Sequence, residues 1–151
     1  MKILIFSAAF VFLFFIHHNK SYSQKLKGED ERIIITVDSV ERADSSYTYG
    51  SPSEGNDFIF INITVVEKRD LKIKNEELRL TKTQLIDDIG ETHSASEEQL
   101  NITIPEKKTG YLLFEMPKDA IPVQLNYFYQ YREESPKSQE IKIGQIDIIL
   151  S

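Results

Sequence analysis

The fold is decided by GNDFIFINITVV, the stretch from Gly55 to Val66. Its aliphatic residues recur at every second position, and the residues between them become polar along the stretch. These aliphatic residues are Ile59, Ile61, Ile63 and Val65. An alternation with a period of two is typical of a strand that buries one face. The stretch begins with the turn-forming residues Gly55, Asn56 and Asp57, and charged residues follow it, so we predict a central strand that pairs on both sides.

Shorter runs of β-favouring residues flank this strand along the chain. They cover residues 32–40, 78–86, 100–104, 111–116, 123–132 and 141–150. Turn residues separate them at roughly the 8–12-residue spacing of β-sandwiches. The chain is therefore predicted to be all-β, an immunoglobulin-like β-sandwich of about seven to nine mostly antiparallel strands. A small closed barrel is the alternative fold, and a short helix over residues 75–80 is the alternative local structure.

The first residues have the pattern of a signal peptide. Lys2 gives a positive start, residues 3–16 carry no charge and are mostly apolar, and small residues at Ser21 and Ser23 precede a predicted cleavage before Gln24. The apolar run is shorter than the roughly 20 residues that a spanning helix needs, although an uncleaved anchor is the alternative. We therefore expect a secreted or periplasmic protein with no stable membrane anchor after cleavage. It divides into a signal peptide (1–23), a flexible lead-in (24–31) and the sandwich domain (32–151).

Charge and cysteine content exclude several classes of protein. The chain carries 24 acidic and 18 basic side chains, a formal net charge of −6, and it has no cysteine. Cleavage would remove Lys2 and Lys20, which leaves 16 basic side chains and a formal charge of −8. This charge disfavours nucleic acid as a partner, because neutralising phosphates needs clustered Lys and Arg. Without cysteine, neither disulfides nor a lipid anchor on cysteine is expected, so the core alone must stabilise the domain.

Three stretches together resemble one protein family. Residues 55–63 are similar to its Gly-Asn-x-aromatic entry into a core strand, and residues 85–91 to its Leu-x-Asp-x-x-Gly turn. Residues 109–117 are similar to its Gly-x-Leu-x-Phe-x-Val-Pro strand. The family is the bacterial telokin-like domain of unknown function, in the immunoprotective-extracellular immunoglobulin-like group. The resemblance spans residues 33–150; it implies an exported, non-enzymatic domain, often attached to the cell surface, and no catalytic residue.

Four tyrosines are the candidate binding residues. Tyr47 and Tyr49 lie in a long loop, residues 41–55, where they form either surface anchors or a flap over the edge of the sandwich. Tyr129 and Tyr131 share one face of the next-to-last predicted strand. If that face is exposed, it forms an aromatic strip suited to a glycan or a protein; otherwise its side chains fill and cap the core. We expect an unidentified protein or glycan partner of the envelope or the extracellular space.

Enzymatic chemistry is the alternative to binding. His93 is the only histidine after residue 23, so a catalytic or zinc site built on histidine would have to use it. Its polar neighbours favour a solvated side chain instead. Asp87, Asp88 and Glu91 offer carboxylates to calcium, but they also fit a turn in which an aspartate bonds its own backbone and Gly90 takes a positive φ. We expect a non-enzymatic binding or structural module without a cofactor; a hydrolase or a metal-dependent enzyme is the alternative.

Overall fold

The computed structural model describes residues 26–68, 78–98, 107–135 and 138–151. Within these ranges the chain forms nine strands. They are β1 (Leu26–Glu29), β2 (Ile33–Ala43), β3 (Asn56–Glu67), β4 (Arg79–Asp87), β5 (Thr92–Ser94), β6 (Glu97–Glu98), β7 (Lys107–Pro117), β8 (Pro122–Ser135) and β9 (Ser138–Ile149). No helix in this part of the chain is long and apolar enough to cross a lipid bilayer.

The strands form two antiparallel sheets. The first sheet has the order β1-β2-β3-β7-β6, and the second has the order β5-β4-β8-β9. The chain therefore passes from one sheet to the other between β3 and β4, between β5 and β6, and between β7 and β8. The order β2-β3-β7-β6 opposite β4-β8-β9 is the ABED and CFG arrangement of an immunoglobulin sandwich. The predicted immunoglobulin-like β-sandwich is thus confirmed.

The central strand of the first sheet is β3. It pairs with β2 on one side and β7 on the other, and Ile61 lies opposite Val40 and Leu112. The aliphatic residues at every second position of β3 are buried, whereas Phe60, Asn62 and Thr64 between them are half-buried. The alternation in the sequence therefore does set the register of this strand, and the prediction of pairing on both sides is confirmed.

The core lies between the two sheets. The six longer strands, β2, β3, β4, β7, β8 and β9, contribute buried residues from their inward faces. They include Ile33, Ile35, Ile61, Leu112 and Phe114 from the first sheet, and Leu85, Leu125, Tyr127, Tyr129 and Ile146 from the second. Burial of each such side chain contributes about 1.5–3 kcal/mol. A core of this size stabilises the domain without disulfides.

Some boundaries differ from the sequence prediction. The predicted lead-in contains a strand, because Leu26–Glu29 pairs with β2 and Gly28 lies against the side chains of Ile146 and Ile148. The long loop is shorter than predicted, since β2 continues to Ala43. Residues 79 and 80 begin β4, so the alternative helix does not form there. The predicted signal peptide, its cleavage site and the strand over residues 100–104 lie outside the described residues.

Candidate binding surface

The outward face of β3 carries a group of aromatic side chains. Phe58 and Phe60 alternate with the core residues, and Tyr111 of β7 lies opposite the next outward residue, Asn62. The ring centroids of Phe58 and Phe60 are 6.1 Å apart, as are those of Phe60 and Tyr111. Their planes are tilted, which is the arrangement that aromatic pairs prefer. We call Phe58, Phe60, Tyr111 and Tyr49, which packs on them, the aromatic platform.

Tyr49 connects the platform to the loop of residues 44–55. Its ring centroid lies 6.5 Å from that of Phe60 and 6.5 Å from that of Tyr111, and its hydroxyl hydrogen-bonds the Tyr111 hydroxyl. Each such ring pair contributes about 0.5–1.5 kcal/mol beyond the area that it buries. The loop is therefore a flap, but it covers the outer face of the first sheet and not the edge of the sandwich.

Backbone and polar contacts fix the conformation of this loop. Ser46 and Gly50 exchange two backbone hydrogen bonds of 2.7 and 2.8 Å, which close a turn. Farther along, the amide of Ser53 donates to Glu115 Oε2 of β7 at 3.2 Å. The hydrogen bonds from Ser53 hold the pKa of the Glu115 carboxyl below its ordinary value. The loop is thus fastened to the sheet by Tyr49 within the turn and by Ser53 after it.

Tyr47 lies at the tip of the turn between Ser46 and Gly50. Its side chain is fully exposed, whereas the neighbouring Tyr49 is half-buried in the platform. A large amphipathic side chain held in solvent by an ordered turn is already arranged for contact with another molecule. The structure therefore places Tyr47 where a partner can reach it, and makes Tyr49 the residue that positions it.

A row of polar side chains continues the outward face beyond the platform. Asn62 Nδ2 donates to Ser39 Oγ at 2.7 Å, and Ser39 Oγ donates to Glu41 Oε1 at 2.9 Å. Thr64 Oγ1 donates to Asp38 Oδ2 at 2.6 Å, where a β-bulge adds one residue to β2. The side chains of this row bond one another, and they give the platform an acidic border.

The prediction that Tyr129 belongs to a binding face is wrong, because this residue is part of the core. It has no solvent-exposed surface, and Gly144 on β9, directly opposite, leaves the space that its ring occupies. The Tyr129 hydroxyl donates to Asp30 Oδ2, just after β1. Burial and this hydrogen bond to a carboxylate raise the pKa of Tyr129 above its ordinary value.

Asp30 connects this tyrosine to the turn between β1 and β2. Burial acts to raise the pKa of its carboxyl, but hydrogen bonds from Tyr129 and from the backbone amides of Ile33 and Arg32 outweigh burial and hold the pKa below its ordinary value. The Arg32 guanidinium lies 3.7 Å from the centre of the Tyr131 ring. Tyr131 is therefore half-buried, and a cation covers one face of its ring.

His93 of β5 and Asp87 at the end of β4 form a hydrogen-bonded pair. His93 Nε2 lies 2.9 Å from Asp87 Oδ2, and Asp87 Oδ1 accepts from the amides of Ile89 and Glu91 at 3.1 and 2.8 Å. The bond to His93 lowers the pKa of Asp87, and the two amides lower it further. The predicted turn is confirmed, with Gly90 at a φ of 87°. The expectation of a solvated His93 is wrong, since its side chain is 17% exposed and bonded to Asp87.

The carboxylates suggested for calcium do not converge. Asp87 is directed to His93 and the turn amides, while Asp88 Oδ1 accepts from the amide of Ile121 at 2.9 Å and Glu91 is exposed. Across the described ranges, no three His, Asp or Glu side chains form a group that could hold a metal ion. Hydrogen bonds within the fold therefore account for the carboxylates of Asp87 and Asp88, and Glu91 is exposed to solvent.

Three members of the platform, Phe58, Phe60 and Tyr111, were not singled out as binding residues from the sequence. Phe60 stands among outward positions that become polar, and a large apolar residue there was an available signal. Tyr111 gave no such signal, because its contact with Tyr49 joins residues 62 positions apart. Contacts between residues so far apart in the sequence depend on the order of the strands in the sheet.

Comparison with known proteins identifies one family, which is described as having no known function. The sequence model of one family, described as "Domain of unknown function (DUF4352)", matches residues 27–137. No curated protein matches the chain.

Two solved structures are similar to this one. One is described as "a putative lipoprotein (ycdA)" from Bacillus subtilis subsp. subtilis str. 168, with 15% identity and a TM-score of 0.46; the match covers 83% of this chain and 39% of that one. The other is an uncharacterized β-sandwich protein (CD630_09570) from Clostridium difficile 630, with 13% identity, a TM-score of 0.39, and coverage of 78% and 88%. This chain therefore spans well under half the length of the Bacillus protein.

Proposed function

The chain belongs to the DUF4352 family, whose function is unknown, and we propose that it is an exported, non-enzymatic module that binds a protein partner through Tyr47. The observation that carries this proposal is the fastened loop. Tyr49 is seated in the aromatic platform, the Ser46–Gly50 turn is closed, and Tyr47 is held fully exposed between them.

Preorganisation of the loop would favour binding through Tyr47. Tyrosine offers a large contact area with few rotatable bonds, which is why it is enriched in paratopes and in the small set of residues that dominate binding energy. A loop that is ordered before binding loses little conformational entropy when the partner arrives. The Tyr49–Tyr111 contact and the Ser53–Glu115 bond order this loop in the unbound chain.

A protein partner fits this surface better than a glycan. Tyr47 projects as a single side chain that would enter a pocket, whereas the platform rings are half-buried or buried and offer little open face for stacking on a sugar. The polar row beside the platform already uses many of its groups in bonds such as Asn62 to Ser39 and Thr64 to Asp38. Fewer groups therefore remain for the hydroxyls of a sugar.

Export and the finer family placement are part of the same proposal. Export is supported by the signal-peptide pattern of residues 1–23, and a telokin-like, immunoprotective-extracellular domain is supported by the three motifs in residues 55–63, 85–91 and 109–117. N-terminal sequencing of protein from fractionated cells should give a mature chain that begins at or near Gln24. An intact Met1 in the membrane fraction would contradict this.

The binding proposal is tested with matched alanine variants. Tyr47 and Ile89 are both large, exposed side chains, but they lie in different loops. Immobilised Tyr47→Ala protein should lose a partner that the unaltered protein captures from envelope extract and that cross-linking maps to residues 44–55. Ile89→Ala protein should capture it normally, and both variants should keep their melting temperature.

Three results would count against the proposal. Equal capture by the Tyr47→Ala and unaltered proteins would remove the loop as the binding surface. Capture of a polysaccharide in place of a protein would leave the surface but change the partner class. Turnover of a substrate that depends on His93 would overturn the non-enzymatic assignment.

A further inference from the structure

The outer edge of β9 presents a regular row of backbone groups, and no strand pairs with it in the described part of the chain. The amide of Leu150 donates to the carbonyl of Val123 in β8 at 2.8 Å, and the β8–β9 ladder has no register shift. In an antiparallel ladder, alternate residues bond to the same neighbour. Even-numbered residues of β9 therefore bond to β8, and odd-numbered residues direct their N–H and C=O groups to the outer edge.

Among the described residues, contacts cover only the C-terminal part of this edge. There, Gly28 of β1 lies against Ile146 and Ile148. The N-terminal part carries Ile141 and Ile143, which are 63% and 67% exposed. Proteins usually protect a long edge strand with proline, a bulge or charged residues, because an unprotected edge pairs with other strands. Here two large exposed aliphatic side chains, Ile141 and Ile143, stand beside the outward backbone groups, and the charged residues of the segment, Glu140 and Lys142, have opposite signs.

We propose that the N-terminal segment of β9, which contains Ile141 and Ile143, pairs antiparallel with the same segment of a second copy of the chain. The contact would be two-fold symmetric, so each residue meets its counterpart from the same patch. With the axis at Ile141, the two Ile141 side chains meet on the outer face. Glu140 of each copy then lies opposite Lys142 of the other, and the two four-stranded sheets become one continuous sheet.

Charge selects this register among its neighbours. An axis at Glu140 or at Lys142 would place two like charges directly opposite each other, which destabilises a strand pair. An axis at Ile143 would place Lys142 opposite Gly144 and form no ion pair. Only the axis at Ile141 matches both charges, and it forms two such pairs, one on each side of the axis.

Charge exchange tests the register. In sedimentation equilibrium at low salt, the unaltered protein should form a dimer. Glu140→Lys and Lys142→Glu should each weaken association by about tenfold, because each replaces two attractive pairs with two repulsive ones. The protein with both substitutions should regain association to within about threefold of the original value. Ile149→Lys, on the same face outside the paired segment, should leave it unchanged.

Cysteine trapping gives a second measurement that needs no stable dimer. The chain has no cysteine, so Ile141→Cys introduces a single thiol. Residues opposite each other in a hydrogen-bonded antiparallel pair have Cα atoms about 5.5 Å apart, within the range of a disulfide. Mild oxidation should give a covalent dimer for Ile141→Cys and little for Ile149→Cys. A monomer at every concentration reached, equal trapping of the two variants, or no recovery in the double charge exchange would overturn the proposal.

Discussion

Two pairs of tyrosines, each with one residue between its members, occupy opposite environments. In β8, Tyr127 and Tyr129 are both fully buried, whereas in the loop Tyr47 is fully exposed and Tyr49 is half-buried. Residues two apart lie on the same face of a strand, so both β8 tyrosines enter the core. The turn between Ser46 and Gly50 breaks this alternation, and the same spacing separates a seated ring from an exposed one.

The complementary residues explain this difference. Tyr129 is accommodated because Gly144 lies opposite it and Asp30 accepts a hydrogen bond from its hydroxyl. Tyr49 is accommodated because Tyr111 and Phe60 lie under it. The role of a tyrosine in this chain is thus decided by residues far away in the sequence. The β8 pair supports the fold, and the loop pair supplies the proposed binding surface.

Truncation of Tyr129 should have the largest effect on stability. Tyr129→Ala should lower the free energy of unfolding by about 3–5 kcal/mol, because it empties a large fully buried site. Tyr129→Phe keeps the ring and loses only the bond to the Asp30 carboxylate, so it should cost about 1.5–3 kcal/mol. Denaturant unfolding measures both. Equal costs for the two variants would mean that the ring does not fill the core as described.

A methyl group at Gly144 should have the next largest effect. A Cβ there would lie 2.2–2.5 Å from atoms of the Tyr129 side chain, so Gly144→Ala should cost about 1–3 kcal/mol through overpacking. The exposed neighbour Gln145→Ala should stay within about 0.5 kcal/mol of the original protein. Combining Gly144→Ala with Tyr129→Leu should cost less than the sum of the two changes, because they share one space. Additive costs would argue against this contact.

Local pattern accounts for most of what the sequence predicted correctly. The alternation of Ile59, Ile61 and Ile63 needs only the geometry of one strand, and the turn at Gly90 needs only neighbouring residues. Both predictions were confirmed. Boundaries were less accurate, since β1 depends on pairing with β2 and has little apolar pattern of its own.

The candidate site was harder to predict because it depends on contacts between distant strands. The burial of Tyr129 in β8 depends on Gly144 in the neighbouring strand β9. The position of Tyr49 depends on Tyr111 in β7, which is separated by β3 from β2, the strand after which the loop begins. His93 has polar neighbours along the chain, but strand pairing brings it to Asp87. Side-chain partners of this kind cannot be read from periodicity.

The pH dependence of stability should distinguish Tyr129 of β8 from the tyrosines of the loop. The pKa of Asp30 is lowered in the folded chain, so its contribution to stability is present above its unfolded pKa of about 3.9 and is lost as the pH falls through the folded value. Tyr129→Phe removes one of the bonds that lower this pKa. The stability difference between the original protein and this variant should therefore be constant near neutral pH and shrink below about pH 4.

Alkaline titration provides the complementary measurement. The pKa of Tyr129 is raised by folding, so its contribution is present below the unfolded value of about 10 and is lost as the pH rises above it. The Tyr129→Phe protein should not show this loss of stability at alkaline pH, whereas the Tyr47→Phe protein, which keeps Tyr129, should show it. The Asp30–Tyr129 hydrogen bond would be contradicted if the stability of the Tyr129→Phe protein changed with pH as that of the original protein does, both at acid and at alkaline pH.

The smallest effects on stability should come from the loop, and the two loop tyrosines should differ. Tyr49→Phe loses the hydroxyl contact with Tyr111 but keeps the ring on Phe60, so it should cost about 1 kcal/mol. Tyr47→Ala should change the free energy of unfolding by less than about 0.5 kcal/mol, because the side chain is fully exposed. Partner capture should show the reverse order, with Tyr47→Ala the more damaging change and Tyr49→Phe a partial loss through a less ordered loop. If both variants lost stability equally, Tyr47 would have to pack against the domain, and the separation of an exposed ring from a seated one would no longer hold.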